Sequence, residues 1–263
     1  MSGQERESRI RLAEGELEAM WWGKPPGEAA TLVLLHDGLG CVALWRDFPE
    51  WLAANTGLGV FAFSRLGYGA SDPRPPPWPL DYLEREAWEV LPRVLKAAGI
   101  GRSVLVGHSD GATIAALHRA EAANGGLAGV ALIAPHFFPE PIAQAAIAEA
   151  REAYQEGEFR TKLARYHEHV DHVFWGWNRV WLDAAFIAGF DLRADVARLG
   201  LPALVVQGEE DPYGTTAQVE AVRGAGGPVE VLMVPGARHA PHLEAPEITR
   251  PAIAGFAARV LEG

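Results

Sequence analysis

The sequence of 263 residues predicts an α/β protein in which helices flank both faces of a mainly parallel β-sheet. Two observations lead to this prediction. Short apolar runs, typical of strands buried on both faces, alternate along the chain with segments of helical period. In addition, the pentapeptide Gly-His-Ser-Asp-Gly at 107–111 lies between one such run and a helix-favouring segment. A repeated strand–helix–strand order is the pattern that a parallel sheet produces.

The individual elements follow from the local pattern. The segment 12–22 mixes apolar and acidic residues and predicts the first antiparallel strands, whereas continuous apolar runs predict buried strands. The proline-rich segment 73–79 predicts a rigid loop, and Pro92 should kink or break the helix in which it lies. Buried strands are expected at 31–36, 58–63, 103–106, 130–134, 203–207 and 229–234, and helices at 45–54, 82–98 and 112–123.

The strand pattern stops between residues 137 and 190. Residues 142–165 are rich in Ala, Glu and Arg and favour helix, and a dense aromatic stretch follows at 174–190. We therefore expect a core formed by residues 1–136 and 191–263, with a helical segment inserted at 137–190.

Ser109 lies at the centre of the 107–111 pentapeptide, which fits the G-x-S-x-G pattern of a nucleophile elbow. A strand, a sharp turn and a helix would place Ser109 at the tip of a strained bend. Gly107 and Gly111 remove the Cβ atoms that would clash there. The alternative is an ordinary glycine-rich turn, but the flanking strand and helix patterns favour the elbow.

A serine nucleophile needs a base, and the base needs an orienting acid. Asp211 follows the apolar run 203–207, and His239 follows the run 229–234. Both are therefore expected at the carboxyl edge of the sheet, where open α/β sheets build their sites. Glu209 and Glu210 are rivals for the acid, and His242 is a rival for the base.

Three further segments resemble the α/β-hydrolase superfamily, so that the likeness covers nearly the whole chain: LVLLHDGLG at 32–40, SRLGYGASD at 64–72 and RHAPHLE at 238–244. The resemblance implies a small serine hydrolase with an α/β-hydrolase fold and a helical cap at 137–190. It implies Ser109 as nucleophile, His239 as base and Asp211 as orienting acid. It also implies an oxyanion hole formed by the backbone N–H groups of Gly38 and Asp110.

Aromatic residues in and next to the expected cap are candidates for a substrate pocket. They would either line an apolar pocket or pack the cap onto the core, and one or two rings are expected to do both. The pocket candidates are Phe137, Trp175, Trp177 and Trp181.

Two acidic side chains are expected near the oxyanion hole, Asp37 in its loop and Asp110 beside the nucleophile. Uncompensated negative charge there would oppose catalysis. The side chains must therefore point away, be neutralised, or contact a cationic group of the substrate. Arg65 and Arg238 are candidate neutralising partners.

Other histidines and the single cysteine are expected to be structural. His167, His169 and His172 lack an accepted zinc spacing and predict a solvated helix face, so no metal is expected. His36 should support the oxyanion loop. Cys41 should be a small buried residue and not a nucleophile.

Composition restricts the partners and the location. A formal net charge of −11 disfavours nucleic acid and anionic membranes. No apolar run approaches the ~20 residues of a membrane span, and residues 1–11 are too polar for a signal peptide. We expect a cytoplasmic protein that acts on a small molecule, and a homo-oligomer is left open. No organic cofactor is expected, since no dinucleotide or P-loop motif is present in the sequence.

Together these inferences predict an enzyme that hydrolyses a small carboxylic ester through an acyl-enzyme, because esters need the least leaving-group assistance. A carbon–carbon bond hydrolase or an enol-lactonase would use the same three residues and is the alternative. A ligand-binding protein on a hydrolase scaffold is the non-enzymatic alternative.

Overall fold

In the computed structural model, which describes residues 6–118 and 126–262, eight strands form one sheet. The strands are β1 (Arg6–Leu12), β2 (Gly15–Gly23), β3 (Thr31–Leu35), β4 (Gly59–Phe63), β5 (Ser103–His108), β6 (Leu127–Ile133), β7 (Ala203–Gly208) and β8 (Val229–Val234). Their order across the sheet is β1-β2-β4-β3-β5-β6-β7-β8. The pairs β1–β2 and β2–β4 are antiparallel and the remaining pairs are parallel, which confirms the predicted fold class.

The central strands β3, β4, β5 and β7 are buried at every position and are mainly apolar, because each face of the sheet is covered by helices. In β3, Val33 and Leu35 pack into one core, whereas Leu32 and Leu34 pack into a second core on the opposite face. All five residues of this strand are buried. Successive side chains in a strand point to opposite faces, so one apolar run supplies both cores.

The helices supply the other walls of the two cores. They are α1 (Phe48–Thr56), α2 (Tyr82–Arg85), α3 (Leu91–Ala97), α4 (Asp110–His118), α5 (Pro141–Glu156), α6 (Glu158–Leu163), α7 (Val170–Trp181), α8 (Ala184–Gly189), α9 (Arg193–Val196), α10 (Thr216–Arg223), α11 (Pro241–Glu244) and α12 (Pro246–Glu262). Phe48 of α1 and Phe256 of α12 belong to one core, and Leu83 of α2 and Ile114 of α4 belong to the other.

Local differences from the predicted elements have identifiable causes. The first antiparallel strand lies at 6–12, before the predicted 12–22 segment, which supplies only its partner β2. The predicted helix 45–54 begins at Phe48, after a 3-10 turn at Val42–Trp45. Helices α2 and α3 are joined by a π-helical turn, Glu86–Val90, which ends two residues before Pro92, because proline lacks the N–H that a regular turn needs. The predicted helix 112–123 is described as far as His118, and the remainder of that prediction lies outside the described residues.

Helices α5 to α8 are inserted between β6 and β7, where the sequence predicted a helical segment. Aromatic side chains join them: Tyr154 of α5 stacks on Phe174 of α7 with ring centroids 3.6 Å apart. Within residues 6–118 and 126–262, no helix has the length and apolar character needed to cross a membrane.

Candidate active site

Ser109 sits on a strained turn between β5 and α4. Its φ is +53°, a left-handed conformation that non-glycine residues adopt at a cost. The glycines on either side permit the turn because a Cβ on Gly107 would lie 2.2 Å from the Gly111 carbonyl oxygen, and a Cβ on Gly111 would lie 1.9 Å from the Leu35 carbonyl oxygen. The backbone therefore approaches too closely for any other residue at these positions, as the elbow pattern requires.

Asp211 and His239 meet at the carboxyl edge of the sheet. Asp211 follows β7 and His239 follows β8, and His239 Nδ1 lies 3.0 and 2.9 Å from the two carboxylate oxygens of Asp211. The carboxylate is buried and also accepts hydrogen bonds from Gln207 Nε2 and from the backbone N–H of Tyr213, both at 2.8 Å. Burial opposes the charge, but the hydrogen bond and charge of His239 outweigh it and lower the pKa of Asp211. An ionised Asp211 holds the imidazole by Nδ1 and leaves Nε2 available.

Ser109 and His239 line one cavity of about 80 Å³. The inserted helices close one side of it, with Ala143, Ile147, Trp177 and Trp181. The rest of its wall is formed by Asp37, Gly38, Leu39, Asp110, His136 and Tyr213.

Gly38 lies in the loop after β3, and Arg65 binds the backbone carbonyl groups of the two residues before it, His36 and Asp37. The guanidinium donates to the carbonyl oxygens of His36, at 2.6 Å, and of Asp37, at 2.9 Å. In a trans peptide the N–H points opposite to the C=O, so the Gly38 N–H faces away from Arg65. His36 supports the same loop, since its Nδ1 contacts the Asp37 carbonyl oxygen and its Nε2 accepts the backbone N–H of Arg65.

The Asp110 carboxylate is paired with two neighbours, Arg65 and Tyr82. Its buried carboxylate lies 3.7 Å from Arg65 Nη2 and accepts a 2.5 Å hydrogen bond from the Tyr82 hydroxyl. Trp181 Nε1 donates in turn to the Tyr82 oxygen at 2.9 Å. Burial raises the pKa of Asp110 to about 6, against the opposing influence of Arg65 and Tyr82. Asp37 is more exposed, and its Oδ1 lies 3.9 Å from Nδ1 of His108, a buried imidazole whose pKa is lowered by burial.

Two of the four predicted pocket residues lie on the cavity. Trp177 packs so closely on the loop that a Cβ on Gly38 would lie 2.3 Å from its Nε1, and Trp181 forms the adjacent wall. Phe137 and Trp175 do not line the cavity in the described part of the chain. Phe137 is fully buried in the core, and Trp175 packs against Tyr154 and Phe174.

The structure also corrects the expectation for His167. This residue is buried and not on a solvated helix face, because its ring joins two loops: Nδ1 accepts the Gly69 N–H, and Nε2 contacts the Leu39 carbonyl oxygen, both at 2.9 Å. Cys41 is buried as expected, and burial raises the pKa of its thiol to about 12, which keeps it protonated.

His242, the rival to His239, lies outside the cavity. It is buried and packs between Trp45 and Phe48, with ring centroids 5.2 and 5.5 Å away. The rivals Glu209 and Glu210 are exposed, whereas Asp211 is buried against His239. Geometry therefore brings together the three residues that the sequence singled out.

Sequence reasoning did not single out several residues of the cavity wall, and two of them, His136 and Tyr213, are polar and lie against the His239 ring. Tyr213 packs on the His239 ring, with centroids 4.7 Å apart. His136 follows β6 and lies between Trp181 and His239. The position of each residue just after a parallel strand was the available signal, because that edge of the sheet carries the site.

The sheet order and the strained serine between β5 and α4 define the class of the protein, an α/β-fold hydrolase. The chain belongs to the alpha/beta hydrolase family, whose model matches residues 32–252. A search of curated proteins by sequence finds no significant match.

Solved structures with the same fold include enzymes of different activities. A proline iminopeptidase from Mycobacterium smegmatis has a TM-score of 0.76 at 19% identity, covering 97% of this chain and 98% of that one. The 2-hydroxy-6-oxo-6-phenylhexa-2,4-dienoate hydrolase from Rhodococcus sp. strain RHA1 has a TM-score of 0.76 at 20% identity, covering 97% and 99%. A thermophilic esterase from Thermogutta terrifontis has a TM-score of 0.69 at 22% identity, also covering 97% and 99%. At these identities the likeness establishes the fold alone.

Proposed function

We propose that the protein is a serine hydrolase that cleaves a small carboxylic ester through an acyl-enzyme. The observation that carries this proposal is the double contact of His239 Nδ1 with the buried Asp211 carboxylate, beside a cavity that also contains Ser109 on its strained turn. A serine hydroxyl needs such a base, and an imidazole needs such an acid to hold its orientation.

In the proposed reaction, His239 Nε2 takes the Ser109 proton as the oxygen attacks the ester carbonyl. Backbone N–H groups of Gly38 and Asp110 stabilise the oxyanion, and their support by Arg65 and Tyr82 fits this role. His239 then gives its proton to the leaving alkoxide, and Ser109 remains acylated. Water, deprotonated by His239, releases the acid and restores the serine.

The charge of the cavity favours an ester over a substrate that is itself a carboxylate. The carbon–carbon bond hydrolase with the same fold acts on a dienoate, which is an anion. Among the described residues, the wall of this cavity contains no Lys or Arg, and it carries Asp37. An anionic substrate would therefore meet repulsion without a pairing cation.

Two further proposals follow from the same cavity and from the composition. Segment 137–190 acts as the cap, because Ala143, Ile147, Trp177 and Trp181 close the cavity from that side. The protein acts on a small molecule, since a net charge of −11 disfavours nucleic acid and anionic lipid as partners, and we propose the cytoplasm as its location.

The test is hydrolysis of p-nitrophenyl acetate and butyrate by purified protein. Ser109→Ala, His239→Ala and Asp211→Asn should each lower kcat by at least about 10³-fold. His242→Ala is the matched control, and its kcat should fall far less. A fluorophosphonate should label Ser109, as read by mass spectrometry. Turnover that survives Ser109→Ala, or equal losses at the two histidines, would contradict the proposal, and specific ligand binding without turnover would favour a binding protein.

A further inference from the structure

His136 is a buried polar side chain for which the proposed reaction has no use. It lies directly after β6, is only 5% exposed, and lines the cavity beside Ser109. Its ring lies between Trp181, with centroids 5.5 Å apart, and His239, with centroids 5.6 Å apart. In the described part of the chain, its backbone carbonyl oxygen is bound by Thr113, but neither ring nitrogen has a hydrogen-bond partner.

The ring is held in its neutral form. Burial and the neighbouring His239 lower the pKa of His136 to about 3. A neutral imidazole carries one N–H donor and one nitrogen acceptor. The ring nitrogens of His136 are not among the fully enclosed unpaired atoms of the described residues, and the residue lines the cavity, so a group inside the cavity can bind them.

The rest of the wall restricts what that partner is. Ala143, Ile147 and Trp177 offer apolar contacts, and Asp37 adds a carboxylate without any cation on the wall, among the residues described. A substrate carboxylate would be repelled by Asp37, and a neutral imidazole offers it no charge. A hydroxyl group can donate or accept, so it pairs with either tautomer of the ring.

We propose that His136 is a specificity-determining residue that hydrogen-bonds a hydroxyl group of an uncharged hydroxy-ester substrate. The inference rests on the proposed esterase function and refines its substrate class. His136 contacts the substrate at a distance from the scissile bond, while Ser109 and His239 perform the chemistry.

Matched esters test this role in a pH-stat assay. Ethyl butyrate is compared with ethyl 3-hydroxybutyrate, which carries the hydroxyl on the acyl side, and with 2-hydroxyethyl butyrate, which carries it on the alcohol side. One neutral hydrogen bond corresponds to a preference of about three- to tenfold in kcat/KM for one hydroxylated ester. His136→Phe should abolish this preference, read within each protein as the ratio of kcat/KM for the hydroxylated ester to kcat/KM for ethyl butyrate, so that a change in overall activity does not affect the comparison.

Two variants separate recognition from packing. His136→Asn keeps a donor and an acceptor and should retain part of the preference. His242→Phe alters a buried histidine outside the cavity and should leave the ratio between the esters unchanged. If His136→Phe fails to fold, the comparison rests on His136→Asn and His136→Leu.

Several outcomes would overturn the inference. One is that the wild type shows no preference for either hydroxylated ester over ethyl butyrate. Another is that His136→Phe keeps the preference. A third is that ethyl 4-aminobutyrate is preferred, which would assign recognition to Asp37. Failure of the esterase proposal gives a different result, because ethyl butyrate would then not be hydrolysed or would be hydrolysed by Ser109→Ala. In that case, calorimetric binding of the same esters to Ser109→Ala provides the comparison.

Discussion

The Tyr82 hydroxyl connects the inserted helices to the residue beside the nucleophile, so Tyr82→Phe is a direct test of that connection. The change deletes one oxygen. It removes the 2.5 Å hydrogen bond to Asp110 and the acceptor of the Trp181 indole N–H. Tyr82, Asp110 and Trp181 are all at least 95% buried, so water cannot readily replace the lost partner.

The expected loss follows from these two bonds. A hydrogen bond to a charged acceptor contributes about 1.5–3 kcal/mol, and an indole N–H left buried without a partner costs about 1–3 kcal/mol. Together they predict a decrease of about 2.5–6 kcal/mol in the free energy of unfolding. The Asp110 backbone should also be less well held, so kcat on p-nitrophenyl butyrate should fall while KM changes little.

Urea unfolding followed by circular dichroism measures the effect, and Tyr154→Phe is the matched control. The Tyr154 hydroxyl also donates to a carboxylate, that of Asp171, at 2.6 Å, but Asp171 is half-exposed and is bound by Arg160. The control should therefore lose only about 1 kcal/mol. If Tyr82→Phe is no less stable than Tyr154→Phe, the hydrogen-bond chain does not stabilise the fold as described.

Three other predictions concern the same region. Gly111→Ala should fail to yield folded protein by circular dichroism, because its Cβ would lie 1.9 Å from the backbone oxygen of Leu35. Gly38→Ala should fold, since its Cβ meets a side chain and not the backbone, but the buried Trp177 must shift and ester kcat/KM should fall at least about tenfold. Burial raises the pKa of Asp110 to about 6, so its ionisation disfavours the folded state as pH rises. Urea unfolding of Asp110→Asn and wild type should differ by about 2 kcal/mol more at pH 7 than at pH 4, in favour of the variant. A constant difference would contradict this reasoning.

The elements of the sheet and the three central residues could be predicted because they depend on local pattern. Ser109, Asp211 and His239 each follow a continuous apolar run, and parallel strands end at one edge. Of the partners of Asp110, Arg65 was one of two candidates that the sequence offered, whereas Tyr82 could not be predicted, since it lies 28 residues before Asp110 in the chain.

The pocket shows where pattern helps and where it does not. Trp177 and Trp181 are four residues apart on α7 and share a face, whereas Trp175 is two residues from Trp177 and lies on another. Helical spacing alone therefore distinguishes the cavity residues Trp177 and Trp181 from Trp175. Phe137 and His136 are different, because Ala134 has a φ of +48° directly after β6. This turn interrupts strand alternation, so the sequence does not reveal which of the two side chains faces the cavity.

Arg65 gives the site a charge that pH does not change. Although burial opposes it, the neighbouring Tyr68 and Asp110 raise the pKa of the guanidinium above its ordinary value. The planar guanidinium donates to the carbonyl oxygens of His36 and Asp37 and also lies near the Asp110 carboxylate. The single ammonium group of a lysine cannot reproduce these contacts. Any pH–rate profile of this protein will therefore report the titration of groups other than Arg65. The positive charge of Arg65 and its hydrogen bonds to the loop stay the same across the profile.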